Sequence, residues 1–181
     1  MILFFGPPGS GKSVQGELLI KRNNWQWLST GQLFRDSKDP EIHKRLASGE
    51  LIDDELTNKV LATALSEVDD DVRVVLDGYP RNTDQAAWLF EYLSESQRNI
   101  MCVLQFDVPK EEIMRRLGDR GRVEDSEEVI ERRLEIYHEK TKPVLDYYRD
   151  KDVVMVKVDG TGAVEEVHER IYKAIEACTP K

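Results

Sequence analysis

An apolar pentapeptide, Met1 to Phe5, runs directly into the glycine-rich stretch GPPGSGKSVQ, and no other segment restricts the fold as strongly. The short apolar run predicts a buried strand, and the stretch after it predicts a tight turn followed by a helix. Strand, turn and helix in this order are typical of a parallel α/β sheet. The turn should then lie at the carboxyl end of a strand, where such folds bind ligands.

Further apolar runs of similar length predict the other strands. They are Val72–Leu76, Met101–Phe106, Val153–Val158 and the short pair Trp27-Leu28. Because these runs do not alternate polar and apolar residues, a parallel sheet covered on both faces is the natural interpretation. We therefore predict an α/β, doubly wound fold with a parallel five-stranded sheet and helices on both faces, in a single domain over residues 1–181.

Several helix boundaries are also readable. Asp39 followed by Pro40 predicts a helix start, and Gly49 predicts its end. Asp125 is a candidate cap for a later helix. Pro143 should kink or break that helix, because proline lacks the N–H that a helix interior needs.

Composition narrows the functional classes. At 40% hydrophobic residues the chain can bury a core, and its formal net charge of -9 argues against general binding to nucleic acid or membranes, which need a basic surface. Neither a signal peptide nor a transmembrane segment is expected. Cys102 and Cys178 form neither a metal-binding spacing nor a disulfide framework, which fits a reduced, cytoplasmic compartment.

The spacing Gly6-x4-Gly11-Lys12-Ser13 satisfies the phosphate-loop pattern. Its glycines let backbone N–H groups converge on phosphate oxygens, and Lys12 adds a full positive charge. The Ser13 hydroxyl can reach Mg²⁺, and Asp77, at the end of an apolar strand, can support the ion directly or through water. The loop therefore predicts a nucleotide site.

At this point the chain resembles a known family. The stretches GPPGSGKS, LSTGQLFR, GELIDDEL, LDGYPRNTDQ and RRLGDRGRVEDSEEVIERRL occur in this order in nucleoside monophosphate kinases, and above all in short-lid adenylate kinases. The resemblance covers nearly the whole chain. It implies reversible, Mg²⁺-dependent phosphoryl transfer from ATP to AMP. It also implies a fold of the P-loop nucleoside triphosphate hydrolase type, with an inserted helical AMP-binding segment over about 29–60 and a very short lid over about 118–126.

The resemblance assigns roles to individual residues. Catalysis falls to Lys12, Arg81, Arg120, Arg122 and Arg133. ATP binding falls to Gly9, Ser10, Gly11, Lys12, Ser13, Val14, Arg116, Arg120 and Gly162. AMP binding falls to Thr30, Arg35, Glu50, Leu51, Ile52, Gly78, Tyr79, Pro80, Arg81, Gln85, Arg122 and Arg133. Mg²⁺ and the co-substrate ATP are implied, and zinc is not, because the zinc-binding cysteines of some long-lid relatives are absent. Small nucleotides are the expected partners of a monomeric protein.

Two other functions remain open on the residues. A UMP/CMP kinase shares the short lid and the run Pro80-Arg81-Asn82, and an ATP-dependent switch protein could keep the fold and hydrolyse ATP slowly. Gln85 favours AMP, because a glutamine amide matches the donor and acceptor of adenine. Several arginines in an otherwise acidic protein favour an enzyme over a protein that only binds ATP. Negative charge develops on several oxygens during phosphoryl transfer, and a set of arginines would stabilise it.

Overall fold

The structure is a computed structural model that describes residues 1–122 and 125–179. Within these residues, five parallel strands form one sheet of order β2-β3-β1-β4-β5. The strands are β1 (Ile2–Phe5), β2 (Trp25–Ser29), β3 (Arg73–Asp77), β4 (Cys102–Asp107) and β5 (Met155–Asp159). The predicted fold class and strand number are confirmed.

Helices fill the connections between the strands. They are α1 (Lys12–Arg22), α2 (Thr30–Arg35), α3 (Pro40–Ser48), α4 (Asp54–Ser66), α5 (Thr83–Glu95), α6 (Lys110–Arg120), α7 (Glu127–Ile136), α8 (Pro143–Arg149) and α9 (Val164–Cys178). A π-helical turn, Tyr137–Thr141, lies between α7 and α8. Across the described ranges, none of these helices has both the length and the apolar character needed to cross a membrane.

Strand β1 shows why its apolar run does not alternate. Leu3 and Phe5 pack into one apolar cluster with residues of α4, α5 and α8. Ile2 and Phe4 pack into a second cluster, on the other face, with residues of α1 and α9. Because both faces of the sheet are covered, every residue of β1 is buried.

The order of the strands places a crevice beside β1. The chain leaves β1 for β2 and β3 on one side and returns to β4 on the other side. In open parallel sheets the ligand lies at such a reversal, outside the carboxyl ends of the strands. The glycine-rich loop after β1 and the acid that ends β3 both lie at this edge.

The predicted helix signals have mixed outcomes. Asp39 caps α3 by accepting a hydrogen bond from the N–H of Glu41, and Gly49 ends that helix in the left-handed region. The predicted break near Pro143 is confirmed, because the π-helical turn separates α7 from α8 and α8 starts at Pro143. The prediction that Asp125 caps a helix is wrong, because the N-cap of α7 is Ser126.

Strand ends shift by one or two residues from the prediction. The largest change in length is at β2, which extends the predicted pair Trp27-Leu28 to Trp25–Ser29. This strand lies at the edge of the sheet, so only its last residues are fully buried and its apolar signal is weak. Arg73, on β3, covers Trp25 with its guanidinium 4.8 Å from the ring centroid.

The segment expected to bind AMP is helical and has a small core of its own. Phe34 of α2, Ile42 of α3 and Ile52 pack together, separately from the two clusters on the sheet. The expected lid, 118–126, includes residues 123 and 124, which lie outside the described residues. On either side of it, α6 and α7 pack through another apolar cluster that includes Leu117 and Ile130.

The two cysteines meet in the core although they are far apart in the sequence. Cys102 on β4 and Cys178 at the end of α9 belong to the same apolar cluster, and both are free thiols. Burial raises the pKa of the Cys102 thiol, and the neighbouring Cys178 adds a smaller increase. Both thiols therefore pack as small apolar side chains.

Candidate active site

The chain turns from β1 into α1 through the glycine-rich loop. Gly11 caps α1 with a φ of 92°, in the left-handed region. Gly9 has a φ of 80°, and a Cβ at this position would lie 2.8 Å from Leu117 Cγ. The first amides of a helix have no intrahelical partners, so the start of α1 offers N–H donors and the positive end of its dipole. The loop can therefore bind an anion.

Lys12 is the first residue of α1, and its side chain folds back over the loop. Its Nζ donates hydrogen bonds to the carbonyl oxygens of Gly6 and Pro7 at 2.7 and 2.8 Å, and to Ser10 Oγ at 3.1 Å. Burial lowers the pKa of Lys12 to about 8, and nearby arginines reinforce the shift while Asp77 opposes it. An incoming phosphate would favour the charged form of this lysine.

Asp77 ends β3 beside the loop, because β3 pairs in parallel with β1 and places Asp77 opposite Phe4. Asp77 is 4% exposed, and Ser13 Oγ donates a hydrogen bond to its Oδ2 at 3.3 Å. Carboxylate and hydroxyl oxygens are hard donors of the kind that Mg²⁺ prefers. The described residues hold no cluster of three or more histidine, cysteine or acidic side chains suited to a metal.

A buried carboxylate, Asp125, links the arginines of α6 and α7. Arg120 donates to it through Nε at 2.7 Å and through Nη2, and Arg133 Nη1 lies 3.6 Å from Oδ1. The backbone N–H of Arg122 donates to Oδ2 at 3.1 Å. Burial by itself would raise the pKa of Asp125, but these hydrogen bonds and charges hold it below its ordinary value. Asp125 therefore gathers cations at the edge of the cleft.

Arg116 ties α6 to the turn between β5 and α9. Its Nε donates to Glu112 Oε1 at 2.7 Å, and its Nη2 donates to the carbonyl oxygen of Gly160 at 2.9 Å. Two residues further along this turn is Gly162, which also lines the cleft. Arg116 and Gly162, both assigned to ATP binding by the resemblance, therefore lie on neighbouring elements, α6 and the turn after β5.

The loop between β3 and α5 forms a second part of the site. Arg81 Nε and Thr30 Oγ1 both donate to the carbonyl oxygen of Gly78, at 2.7 and 2.9 Å. Gly78 has a φ of 78°, and a Cβ there would lie 3.0 Å from Thr30 Oγ1. Gln85 follows on α5 and is 2% exposed. These contacts join the start of α2 to the loop after β3.

Two adjoining cavities contain every side chain assigned from the sequence. The larger is a cleft of ≈ 730 Å³. Its lining includes Gly9, Ser10, Gly11, Lys12, Ser13, Val14, Arg35, Leu51, Asp77, Gly78, Tyr79, Pro80, Arg81, Arg116, Arg120, Arg122, Arg133 and Gly162. The smaller, of ≈ 20 Å³, is lined by Thr30, Glu50, Ile52 and Gln85 and shares Leu51, Gly78 and Arg81 with the cleft. The structure places these residues together, and their individual roles remain predictions.

Three acids of the site were missed by the sequence reasoning. Asp125 holds two arginines, Glu112 holds Arg116, and Asp54 binds the side chain of Gln85. Glu112 could have been found, because an acid four residues before an arginine on a helix is a favourable pair. The other two have no local signal, because their contacts join separate helices.

The fold and the site together define a class of protein. A phosphate loop after β1, an acid at the end of the neighbouring strand and two arginine-bearing helices surround one cleft, on a parallel sheet of order 2-3-1-4-5. These are the features of a P-loop nucleoside monophosphate kinase.

Comparison with known proteins identifies the family within this class. The profile of the family described as "Adenylate kinase" matches residues 4–153. The adenylate kinase of Nocardia farcinica is 38% identical over 180 residues, which cover 96% of this chain and 98% of the relative. Those of Pseudarthrobacter chlorophenolicus and Mycolicibacterium smegmatis are 38% and 36% identical, over 97% and 96% of this chain and 96% and 98% of their own lengths. The chain belongs to the adenylate kinase family.

Proposed function

We propose that the cleft transfers the terminal phosphoryl group of ATP to AMP, reversibly, to give two molecules of ADP. Family membership supports this reaction, and one observation of the site carries it. Lys12 of the phosphate loop lines a single cleft together with Arg81, Arg120 and Arg133. A protein that only held ATP would need cations for one set of phosphates, whereas these cations come from opposite sides of the cleft.

The reaction needs charge stabilisation more than proton transfer. The bond between the γ-phosphorus and its bridging oxygen breaks, and a bond to an oxygen of the AMP phosphate forms. That acceptor phosphate has a second pKa near ~6, so it is already mostly dianionic at neutral pH and requires no general base. Negative charge spreads over the transferred group in the transition state, and fixed cations stabilise it.

The chain provides these cations from the phosphate loop, the loop after β3, and α6 and α7 with the residues between them. We assign Lys12 and the loop amides to the phosphates of ATP, and Arg81 to the phosphate of AMP. Arg120, Arg122 and Arg133 would contact the oxygens between the two nucleotides. Arginine suits this task, because its planar fork can donate two hydrogen bonds to one phosphate and stays charged.

Ser13 and Asp77 are the residues that would hold Mg²⁺. The hydrogen bond between Ser13 Oγ and Asp77 Oδ2 brings one hydroxyl and one carboxylate together beside the loop. When bound, the ion would neutralise charge on the β- and γ-phosphate oxygens. The family resemblance gives glycine at the position of Ser13, so we propose that Ser13→Gly raises the Mg²⁺ concentration needed for half-maximal activity, while Asp77 alone still supports turnover.

The test of the proposed reaction is ADP formation from MgATP with and without AMP. We expect formation to depend on AMP, and Arg133→Ala to lower turnover by about 10²-fold or more, as loss of a charge-stabilising donor does. Arg149→Ala is the matched control, because Arg149 is an exposed arginine paired with Asp146 away from the cleft. Phosphate release that does not depend on AMP would instead support the switch protein.

A further inference from the structure

The side-chain amide of Gln85 is held on both sides by groups of opposite hydrogen-bonding character. Its Oε1 accepts a hydrogen bond from the backbone N–H of Arg81 at 2.8 Å. Its Nε2 donates to Asp54 Oδ1 at 2.6 Å. A backbone N–H can only donate, and an ionised carboxylate can only accept. The identities of the amide oxygen and nitrogen are therefore fixed by their neighbours.

Asp54 is itself held in place by Asn82. Asn82 Nδ2 donates to Oδ1 and Oδ2 of Asp54 at 3.0 and 2.9 Å. Asn82 has no freedom to turn over, because its Oδ1 accepts the N–H of Gln85 at 2.8 Å as the N-cap of α5. The chain of contacts thus runs from the start of α4 to the start of α5 and ends at the amide of Gln85.

Within the described residues, the side-chain amide of Gln85 has one donor and one acceptor position left for a ligand. A primary amide has two N–H donors and an oxygen that accepts two hydrogen bonds. One donor is used by Asp54 and one acceptor position by Arg81, so within the part of the chain that the structure describes one N–H and one lone pair remain side by side. Adenine presents a ring acceptor next to an amino donor, which fits this remaining pair. Hypoxanthine presents a ring N–H donor next to a carbonyl acceptor, which is the reverse order.

Turning the amide over would let it fit hypoxanthine, and the structure opposes that rotation. The rotated Nε2 would face the N–H of Arg81, and the rotated Oε1 would face the carboxylate of Asp54. Two hydrogen bonds would be replaced by two repulsive contacts at a side chain that is 2% exposed. Buried polar groups left without partners are costly, so the rotated state is disfavoured.

We propose that Asp54 is a positioning residue that, together with the backbone N–H of Arg81, fixes the amide of Gln85 to accept AMP and to reject IMP and other 6-oxopurine nucleotides. The proposal rests on the proposed function and on the prediction from the sequence that Gln85 faces the adenine of AMP. It goes further by identifying what orients that glutamine and which purines it excludes. Asp54 itself does not contact the substrate.

The test compares AMP with IMP as acceptors at saturating MgATP. In Asp54→Asn, the new amide can donate as well as accept, so it no longer dictates the orientation of Gln85. We expect the KM for AMP to rise about 10-fold and the preference for AMP over IMP to fall about 10-fold, since a site with mispaired polar groups loses discrimination. The KM for ATP should change less than about 2-fold, because the phosphate loop is untouched.

Glu55→Gln is the matched control. Glu55 lies next to Asp54 in the first turn of α4 and is exposed, so this variant removes the same charge from the same helix end. It should keep the AMP kinetics of the unmodified protein. An Asp54→Asn protein with unchanged KM for AMP and unchanged AMP-to-IMP preference would overturn the proposal. If the unmodified protein forms no ADP in response to AMP, the proposed function is overturned instead.

A second measurement needs no variant at Asp54. Hydrogen exchange of the Gln85 side-chain amide, followed by NMR in the AMP-free protein, reports the contact with Asp54. We expect one of the two Nε2 protons to be protected before AMP is added, and both to be protected afterwards. Two rapidly exchanging protons in the AMP-free protein would show that Asp54 does not hold the amide.

Discussion

Replacing Asp125 with asparagine tests how much the negative charge of this carboxylate stabilises the arginines that contact it in the cleft. The substitution keeps the size of the side chain and removes its negative charge. In the structure this carboxylate is 1% exposed and accepts hydrogen bonds from the side chain of Arg120 and the backbone of Arg122. Arg133 lies against the same oxygen as Arg120. The variant therefore leaves two guanidinium groups without their shared counter-charge.

The burial of the partners sets the size of the effect. Removing one member of a fully buried ion pair costs about 3–5 kcal/mol. The side chains of Arg120 and Arg133 are 29% and 21% exposed, so water screens part of the loss. We expect a decrease of about 2 kcal/mol in the free energy of unfolding. For a chain of this length, that corresponds to a drop of about 4–8 °C in Tm.

The assay is thermal unfolding of the ligand-free protein at several pH values. The pKa of Asp125 lies below its ordinary value in the folded state, so its contribution is present above the ordinary pKa and is lost as the pH falls through the folded pKa. The difference between the two proteins should therefore be constant from about pH 5 to 8 and shrink below about pH 4. Saturating MgATP and AMP should also narrow the difference, because phosphate oxygens would supply the missing negative charge.

Asp146→Asn provides the comparison. Asp146 is a surface acid paired with Arg149, and both side chains are more than half exposed. Its loss should cost no more than about 0.5 kcal/mol, as for most exposed pairs. If Asp125→Asn unfolds at the same temperature as Asp146→Asn, Asp125 does not hold the arginines and the reasoning is refuted.

Two further predictions concern the phosphate loop. Burial lowers the pKa of Lys12 to about 8, and only the charged lysine binds phosphate well. We therefore expect kcat/KM for ATP to fall about tenfold per pH unit above about pH 8. A kcat/KM that stays constant up to about pH 9.5 would contradict this prediction. Gly9→Ala places a Cβ 2.8 Å from Leu117 Cγ at a φ of 80°, so we expect a loss of about 1–3 kcal/mol in stability, measured by denaturant unfolding, together with weaker ATP binding. An unchanged midpoint for Gly9→Ala would show that the loop accepts a side chain there.

Local sequence patterns were enough to predict the sheet and the phosphate loop. The apolar run of β1 is buried on both faces, so it carries a strong signal. The glycine at position 49 and the proline at position 143 act on their own backbone, and both signals are confirmed. Such features depend on residues that are neighbours in the chain.

Two acids of the site, Asp125 and Asp54, could not be predicted from local patterns, because their contacts join separate elements of the fold. Asp125 has the local pattern of a helix cap, but two arginines on separate helices meet at its carboxylate instead. Asp54 has the pattern of an acid at a helix start, and only the packing of α4 against α5 brings it to Gln85. Edge strand β2 was underestimated because only its last two residues are fully buried.

The acceptor specificity of purified protein tests the central claim most directly. MgATP is held at a saturating concentration, and ADP formation is measured with AMP, CMP and UMP in turn. With Gln85 facing the acceptor base, we expect kcat/KM for AMP to exceed that for either pyrimidine nucleotide by about 10²-fold or more. Comparable values for CMP or UMP would contradict the assignment of Gln85 to adenine and would favour a UMP/CMP kinase.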